Sequence, residues 1–416
     1  MGKRRRAKSV SRWPQGHWRR RLPVAAAIAV GAWFGVTGSL ANALVRADAG
    51  RAHALAPGNG QIAAANAEQM FATRPEADDT SAAAEMARLA IRRDALTPDA
   101  LTVLAFQAEL RGDTALSNRI FAHSTRLSRR ELRPQLWAIE QAVSRGDLAG
   151  ALRHYDIALK VSDTARNTLY PVLANALPEP LVRAGLLARL RPDTVWARSF
   201  LDFVAGSGIQ PGAAAAFLSE ARAAGLEVTK EQREYLVNAL FSAGQHDRAW
   251  QEYTALRGAT PRNRSRDPRF ALRTDVRTPL DWQVDADAGT GAAILAEGQV
   301  GVVDFAAPPG AGGPVVRQYQ YLPPGTYTLE GHFDQLQLGL GSRPFWQLAC
   351  ENGQEIGRVE VPPSAAEATP FAGRLTVSAQ CPVQVLTLIV RPVEDIAGVS
   401  GRLATAVLRP FGDGSR

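Results

Sequence analysis

The sequence predicts a multidomain chain: an N-terminal transmembrane helix, then an all-α domain, then an all-β sandwich. Three observations predict it. No residue between Leu22 and Val45 carries a charge, and about 20 apolar residues in a helix cross a bilayer core. Residues 75–262 are rich in Ala, Leu, Arg and Glu, with Gly or Pro recurring at helix-length intervals. Residues 280–411 switch to short apolar runs between turns, alternating with a period of two.

The membrane segment, Leu22 to Val45, follows Lys3, Arg4, Arg5, Arg6, Lys8, Arg12, Arg19, Arg20 and Arg21, with no acid among residues 1–21. That asymmetry predicts a cytoplasmic basic tail over 1–21 and the bulk of the chain across the membrane. Two readings of residues 22–45 stay open. One is a permanent anchor. The other is a cleaved signal peptide, since Ala41-Asn42-Ala43 has the small-x-small pattern of a cleavage site. The length of the run and Trp33-Phe34 at its middle favour the anchor.

The nine cations of the tail account for the formal charge. The total is +8, so +8 less +9 leaves −1 for the remainder. The basic balance is therefore a topology signal and predicts no nucleic-acid partner. Arg outnumbers Lys 44 to 4, a bias that suggests a high-GC bacterial genome and makes the far side a periplasm. The two cysteines, Cys350 and Cys381, can be oxidised there. They end one predicted strand and begin another, and a disulfide between them is expected. Closing that loop stabilises by roughly 3–4 kcal/mol in the chain-entropy model.

Residues 46–74 read as a linker, broken at Ala56-Pro57-Gly58-Asn59-Gly60, with a short Ala-rich turn around 62–71. Residues 75–262 then read as ten or so helices. Gly112-Asp113 is followed by Leu116, Ile120, Phe121, Ser124 and Leu127. Gly146-Asp147 is followed by Ala151, Leu152, Tyr155, Ala158 and Leu159. Gly112 and Gly146 are 34 residues apart, the period of a two-helix repeat.

The second of these instances is similar to the tetratricopeptide family, in which small residues fall five and twelve after the Gly and an aromatic falls nine after. Ala151, Ala158 and Tyr155 hold those places. Gly244 starts a third instance with Ala249, Tyr253 and Pro261, but Leu256 replaces the second small residue. In the first, Ser117 and Ser124 stand where Ala is usual. The resemblance implies stacked helix pairs that bury their apolar faces only against neighbours. Gly146 to Gly244 is 98 residues, so the register is broken in between. A degenerate tetratricopeptide-like helical repeat domain is expected, with an irregular helical domain as the alternative.

Residues 263–279 form the core of a second, basic linker. Arg257, Arg262, Arg264, Arg266, Arg269, Arg273 and Arg277 face only Asp267 and Asp275. A solvated connector is expected, with a basic strip for lipid phosphate or acidic polysaccharide as the sharper alternative.

In the sandwich, strands are expected at 281–284, 292–295, 301–305, 315–321, 326–333, 345–350, 357–361, 374–377, 383–391 and 402–408. Tyr327, Leu329 and Phe333 face one way, and Thr328, Glu330 and His332 the other. Eight to ten strands at this spacing predict two antiparallel sheets. The strand rhythm and the segment Tyr321-Leu322-Pro323-Pro324-Gly325-Thr326-Tyr327 resemble jelly-roll modules of secreted bacterial proteins, carbohydrate-binding modules among them. Anchor, helical repeat and terminal sandwich together resemble envelope proteins of alphaproteobacteria, some linked to exopolysaccharide systems.

No catalytic, cofactor or metal signature is present. The sequence has no His-Glu-x-x-His, Gly-x-Ser-x-Gly or Gly-Lys-Ser/Thr, and its six His show no ligand spacing. Trp346 is expected in the core. Tyr319 and Tyr321 share a face with Arg317 and are the candidate ligand-binding residues on a solvent-facing surface. The expected function is a non-catalytic scaffold, anchored in the inner membrane, that binds a periplasmic protein partner through its helices. One alternative is a glycan-binding accessory protein that uses the sandwich. The other is a glycan-active enzyme whose carboxylates, Glu330, Asp334 or Glu360, meet in space.

Overall fold

The computed structural model describes residues 18–128, 130–285, 289–338, 343–363, 368–394 and 396–412, with side chains from Leu22 onward. The expected cytoplasmic tail lies outside them up to residue 17. The chain divides into two compact units, Met1–Leu169 and Tyr170–Arg416. The sequence places a boundary after residue 262; the division instead leaves five helices with the sandwich.

The first unit holds α1 (Trp18–Leu44), α2 (Ala49–Leu55), α3 (Gly60–Thr73), α4 (Ala82–Arg93), α5 (Pro98–Leu110), α6 (Thr114–Leu127), α7 (Leu132–Ser144) and α8 (Leu148–Val161). Helix α9 (Asp163–Asn175) crosses the division. Helix α1 is long and apolar enough to cross a membrane over Leu22–Leu44, and Ile28, Trp33 and Phe34 are exposed. Its last turns are different: Ala41 is buried against Ala52 and Ile62.

The expected linker at 46–74 is instead helical. Asp48 caps α2 by accepting from the Arg51 N–H. Asn59 caps α3 by accepting from Gln61 and Ile62. The Ala-rich face of α3 (Ala63, Ala64 and Ala67) is buried against α4 and α5. Pro57-Gly58 marks a corner between two helices, and the packing of small side chains, invisible to composition, makes them part of the unit.

The Gly-Asp dipeptides serve two roles at once. Gly112 and Gly146 take φ of 79° and 69°, which an L side chain resists. The next N–H then reaches back: Asp113 to the Ala108 carbonyl at 2.9 Å and Asp147 to Ala142 at 2.8 Å, a Schellman closure. The Asp side chain caps the following helix, accepting from Leu116 and Gly150 respectively. Gly244 and Gly225 make the same closure in the second unit. Ala151, Tyr155 and Ala158 are buried in α8, which packs on α7. Ser117 and Ser124 are also fully buried, and their hydroxyls have no partner.

In the second unit, α10 (Pro180–Leu187), α11 (Ala197–Gly206), α12 (Pro211–Ala223), α13 (Lys230–Ser242) and α14 (His246–Arg257) precede ten strands. These are β1 (Gln283–Val284), β2 (Gly291–Glu297), β3 (Val300–Ala307), β4 (Gly313–Gln320), β5 (Gly325–Gln337), β6 (Phe345–Cys350), β7 (Glu355–Glu360), β8 (Thr369–Val377), β9 (Gln384–Val390) and β10 (Val399–Pro410). Each overlaps a strand expected from the alternation. One sheet runs β1-β4-β9-β6-β7 and the other β2-β3-β10-β5-β8, and the pairings are antiparallel. Tyr327, Leu329, Phe333 and Trp346 lie in the core between the sheets. Cys350 and Cys381 are joined, with Cα atoms 5.5 Å apart.

The basic segment 263–279 is not a solvated connector. It straps the sandwich. Ser265 N–H donates to the Leu408 carbonyl at 2.9 Å, Ala406 N–H to Pro268 at 3.0 Å, and Gly301 N–H to Arg269 at 2.8 Å. A Cβ on Gly301 would run into the Phe270 carbonyl. Phe270 enters the sandwich core beside Trp282, ring centroids 5.3 Å apart. Arg266 is buried among neutral acceptors: Nε donates to the Leu280 carbonyl at 3.0 Å, Nη1 to Gln320 Oε1 at 3.1 Å, and Nη2 to the Tyr319 carbonyl. At the end of α14, Arg257 lies between Glu234 of α13 (2.7 Å) and Asp281 (3.0 Å), both carboxylates nearly sealed from solvent. Asp281 also accepts from the Thr278 N–H and hydroxyl at 2.9 Å and from the Tyr253 hydroxyl at 3.1 Å.

Three stability outcomes follow from these contacts. Ser124→Ala removes a buried, unpartnered hydroxyl and should stabilise by about 1 kcal/mol, whereas Ala151→Leu should cost about 1–3 kcal/mol by overpacking; urea unfolding of both variants checks the signs. Arg257→Met strands two buried carboxylates and should cost about 3–5 kcal/mol. An unchanged urea midpoint for that variant would mean the network is not structural.

Candidate functional site

Tyr319 and Tyr321 do not form a solvent-facing ligand surface. Tyr321 is 5% exposed. Its hydroxyl is 3.2 Å from His246 Nδ1, and its ring lies 5.8 Å from that of Trp250. Tyr319 is half-buried, its ring 4.8 Å from Phe241. Strand alternation places these tyrosines outside the sandwich core correctly. What it cannot register is that α13 and α14 cover that edge. The three weighed carboxylates each have a base: Glu330 meets Arg409 at 2.8 Å, Asp334 meets His332 at 3.4 Å and Glu360 meets Arg391 at 2.6 Å.

A row of half-exposed aromatics lies in the first unit. Phe71 of α3, Phe106 of α5, Phe121 of α6 and Trp137 of α7 form a continuous row, with successive ring centroids 6.3, 5.2 and 5.0 Å apart. Phe121 is buried and forms the floor, while the other three are half-buried. Beside the row is a groove of about 350 Å³, lined by Phe106, Glu109, Phe121, Arg133, Trp137 and Glu140, among others. Glu109 and Glu140 are exposed. The Trp137 indole N–H has no acceptor, although buried donors are ordinarily paired. Helical spacing explains the lining: Arg133, Trp137, Glu140 and Gln141 are three or four residues apart and share one face of α7.

Carboxylates gather at one end of this face. Arg133 binds Glu68 of α3 at 2.5 Å. Next to them, Asp99 in the first turn of α5 and Glu131 at the N-cap of α7 are within hydrogen-bonding reach of each other. Burial pushes the Asp99 carboxyl above its ordinary range, against the pull of Arg133. Burial also raises Glu131, with the Asp99 charge adding to the effect. It raises Glu68 in the same way. Two carboxyls in contact are reconciled by one proton between them.

These residues were legible only in part. Phe71, Phe106 and Trp137 occur once in each of three helices, 35 and 31 residues apart, close to the repeat period but outside the matched Gly-to-aromatic offset. That near-periodic recurrence is the signal that could have found them.

The second unit carries a larger cleft, about 540 Å³, lined by Tyr253, Arg257, Arg264, Arg266, Asp281 and Arg409, among others.

No protein-family model matches the chain, and no curated protein matches it. Solved structures give partial matches. A CBM4 module aligns over 35% of this chain and 99% of its own, with 11% identity and a TM-score of 0.27. A CBM61 module in complex with β-1,4-galactotriose aligns over 31% and 88%, with 18% identity and a TM-score of 0.24. An arabinose-bound α-L-arabinofuranosidase aligns over 31% of this chain, with 14% identity and a TM-score of 0.25, and the match spans 23% of that enzyme. The C-terminal sandwich resembles carbohydrate-binding modules; no activity is assigned from the likeness.

The carboxylate cluster makes the first unit sensitive to pH with a definite sign. A carboxyl whose folded pKa is raised binds more protons folded than unfolded between the two values, so stability falls as pH rises through the folded value. The loss runs upward from the ordinary carboxylate range near ~4. Thermal melts between pH 5 and 8 should show a falling midpoint, and Asp99→Asn should flatten it. A midpoint that rises over that interval and is indifferent to Asp99→Asn would contradict the assignment.

Proposed function

We propose that the chain is a membrane-tethered, non-catalytic scaffold that holds a segment of a protein partner in the α5–α7 groove. The observation that carries the reading is the row Phe71–Phe106–Phe121–Trp137. Aromatic side chains left half-exposed beside a groove are the anchoring surface an interface uses. The Gly-Asp hairpins support the same reading, because they resemble the tetratricopeptide repeat, whose stacked pairs expose extended binding surfaces.

Helix α1 supplies the tether. The cations ahead of Leu22 support a cytoplasmic N-terminus, and with it a periplasmic position for both units on this reading. The packing of Ala41 against Ala52 and Ile62 supports retention over cleavage. The Ala41-Asn42-Ala43 motif lies inside a continuous helix, whereas a processing site must be reached in extended form. An inner-membrane address in an alphaproteobacterial envelope, in assembly or exopolysaccharide export, belongs to this reading.

One observation favours a second reading, a glycan-binding role for the second unit. The 540 Å³ cleft is lined by Arg264 and by Arg409, which is paired with Glu330, beside Tyr253, Thr260 and Ser265, a polar and basic lining suited to an acidic sugar.

A photocrosslinking side chain placed in cells tests the groove. At Gln141, which lines the groove, it should yield a discrete protein adduct; at Arg119, exposed on α6, it should not. Equal adducts at both positions would remove the groove from consideration. Silence at both, together with binding of an oligouronate that Arg264→Ala abolishes, would transfer the function to the second unit.

A further inference from the structure

We propose that the segment held in the groove is cationic, an apolar anchor flanked by Arg or Lys. This rests on the reading of the groove as a protein-binding site and specifies the chemistry of the partner.

Charge in the first unit is sorted by helix. On α3, α5 and α7, the ionisable acids and bases are Glu68, Asp99, Glu109 and Glu140 against Arg133 alone. On α4, α6 and α8 the balance reverses: Arg88, Arg92, Arg93, Arg119, Arg126, Arg153 and Lys160 stand against Glu85 and Asp156. The helices pair one from each set, α3 with α4, α5 with α6 and α7 with α8. The groove takes charged lining from the acidic set, Glu109 from α5 and Arg133 and Glu140 from α7.

Placement strengthens the sign. Glu109 and Glu140 are exposed at the groove. Its one cation, Arg133, is engaged by Glu68 at 2.5 Å, and Asp99 and Glu131 lie beyond it in contact with each other. The one lining cation, Arg133, is thus already paired with Glu68, and Glu109 and Glu140 line the groove with no salt bridge among the described residues. An entering Arg or Lys satisfies them twice over. Its charge meets carboxylates in charge-assisted hydrogen bonds, and its cation can lie on the faces of Phe106 or Trp137. An acidic segment meets like charge at each end of the groove, which costs affinity and slows encounter. A neutral segment leaves the carboxylates uncompensated.

The full-length chain in non-ionic detergent, panned against a phage-displayed library of random peptides, tests the proposal. Enriched peptides should combine an apolar residue with net positive charge. At low salt a representative should bind the Glu109→Gln/Glu140→Gln variant about tenfold more weakly than wild type, and the gap should close at about 0.5 M salt. Neutral or acidic peptides, or equal binding to the double variant, would overturn the charge inference. If Trp137→Ala still abolished that binding, the groove reading would survive without it. Binding indifferent to Trp137→Ala, with an unchanged circular dichroism spectrum, would overturn both, as would a panning that enriches nothing. Should Trp137→Ala fail to fold, Gln141→Arg adds a cation to the groove and should weaken the same peptides; no effect would again overturn both.

Discussion

The second unit depends on the burial of two arginines that cannot shed their charge. A guanidinium stays protonated in any protein interior, so Arg257 and Arg266 can be enclosed only where the fold supplies acceptors for them. Arg257 receives Glu234 from the helices and Asp281 from the turn just after the strap. Arg266 receives the Leu280 carbonyl and the Gln320 side chain. These acceptors come from helix, turn and sandwich, and withdrawing any one of the three leaves a buried charge short of partners. The last helical hairpin, residues 263–279 and the β-sandwich consequently fold as one body. A solvated linker between them is physically excluded.

That constraint decides what the sandwich can offer a ligand. Covering the outer face of β4 and the turn after it uses Tyr319, Tyr321, Phe241 and Trp250 as packing. Trp282, Phe333 and Trp346 fill the space between the sheets. Phe345 lies under Arg358 and Arg391, at 4.1 and 4.5 Å. Aromatic area in this unit is largely committed to the fold. In the first unit the row from Phe71 to Trp137 is only partly covered. Where two sets of aromatics exist and one is consumed by packing, the other is the better candidate for binding.

The strands were legible because alternation is a local property. Each residue of β5 from Tyr327 to Phe333 declares its face by its own polarity, and Gly331, which faces inward, simply leaves space that Phe371 fills. The Gly-Asp turns were legible for a similar reason, since the glycine and the capping aspartate act within a few residues of themselves. What failed was everything set by distant partners. Arg257 and Arg266 look solvated until Glu234, Asp281 and Gln320 are brought to them, whereas Arg264, Arg269 and Arg273 do stay exposed. The alanines of α3 look like a flexible spacer until α4 and α5 approach closely enough to need small side chains. Tyr321 reads as outward-facing, and is, but the outside of that edge is the helical hairpin. The groove was missed because its aromatics come one to a helix, so no single window of sequence contains the row.

The division between buried and available charge also bears on the tether. In the second unit, Arg257 and Arg266 are enclosed by acceptors. In the first, the acidic helices leave Glu109 and Glu140 exposed to solvent. An exposed field of one sign acts over about a Debye length, roughly 8 Å at physiological salt, and so steers only partners already close. On the proposed reading, an anchor meets that requirement: a partner confined to the same membrane meets the groove at an effective concentration set by the tether and not by bulk supply. A site of modest intrinsic affinity then suffices. This accords with a groove of about 350 Å³, whose apolar floor is short but whose rim carries Glu109 and Glu140. On that reading, tethering and short-range attraction do the work that a larger buried surface would otherwise have to do.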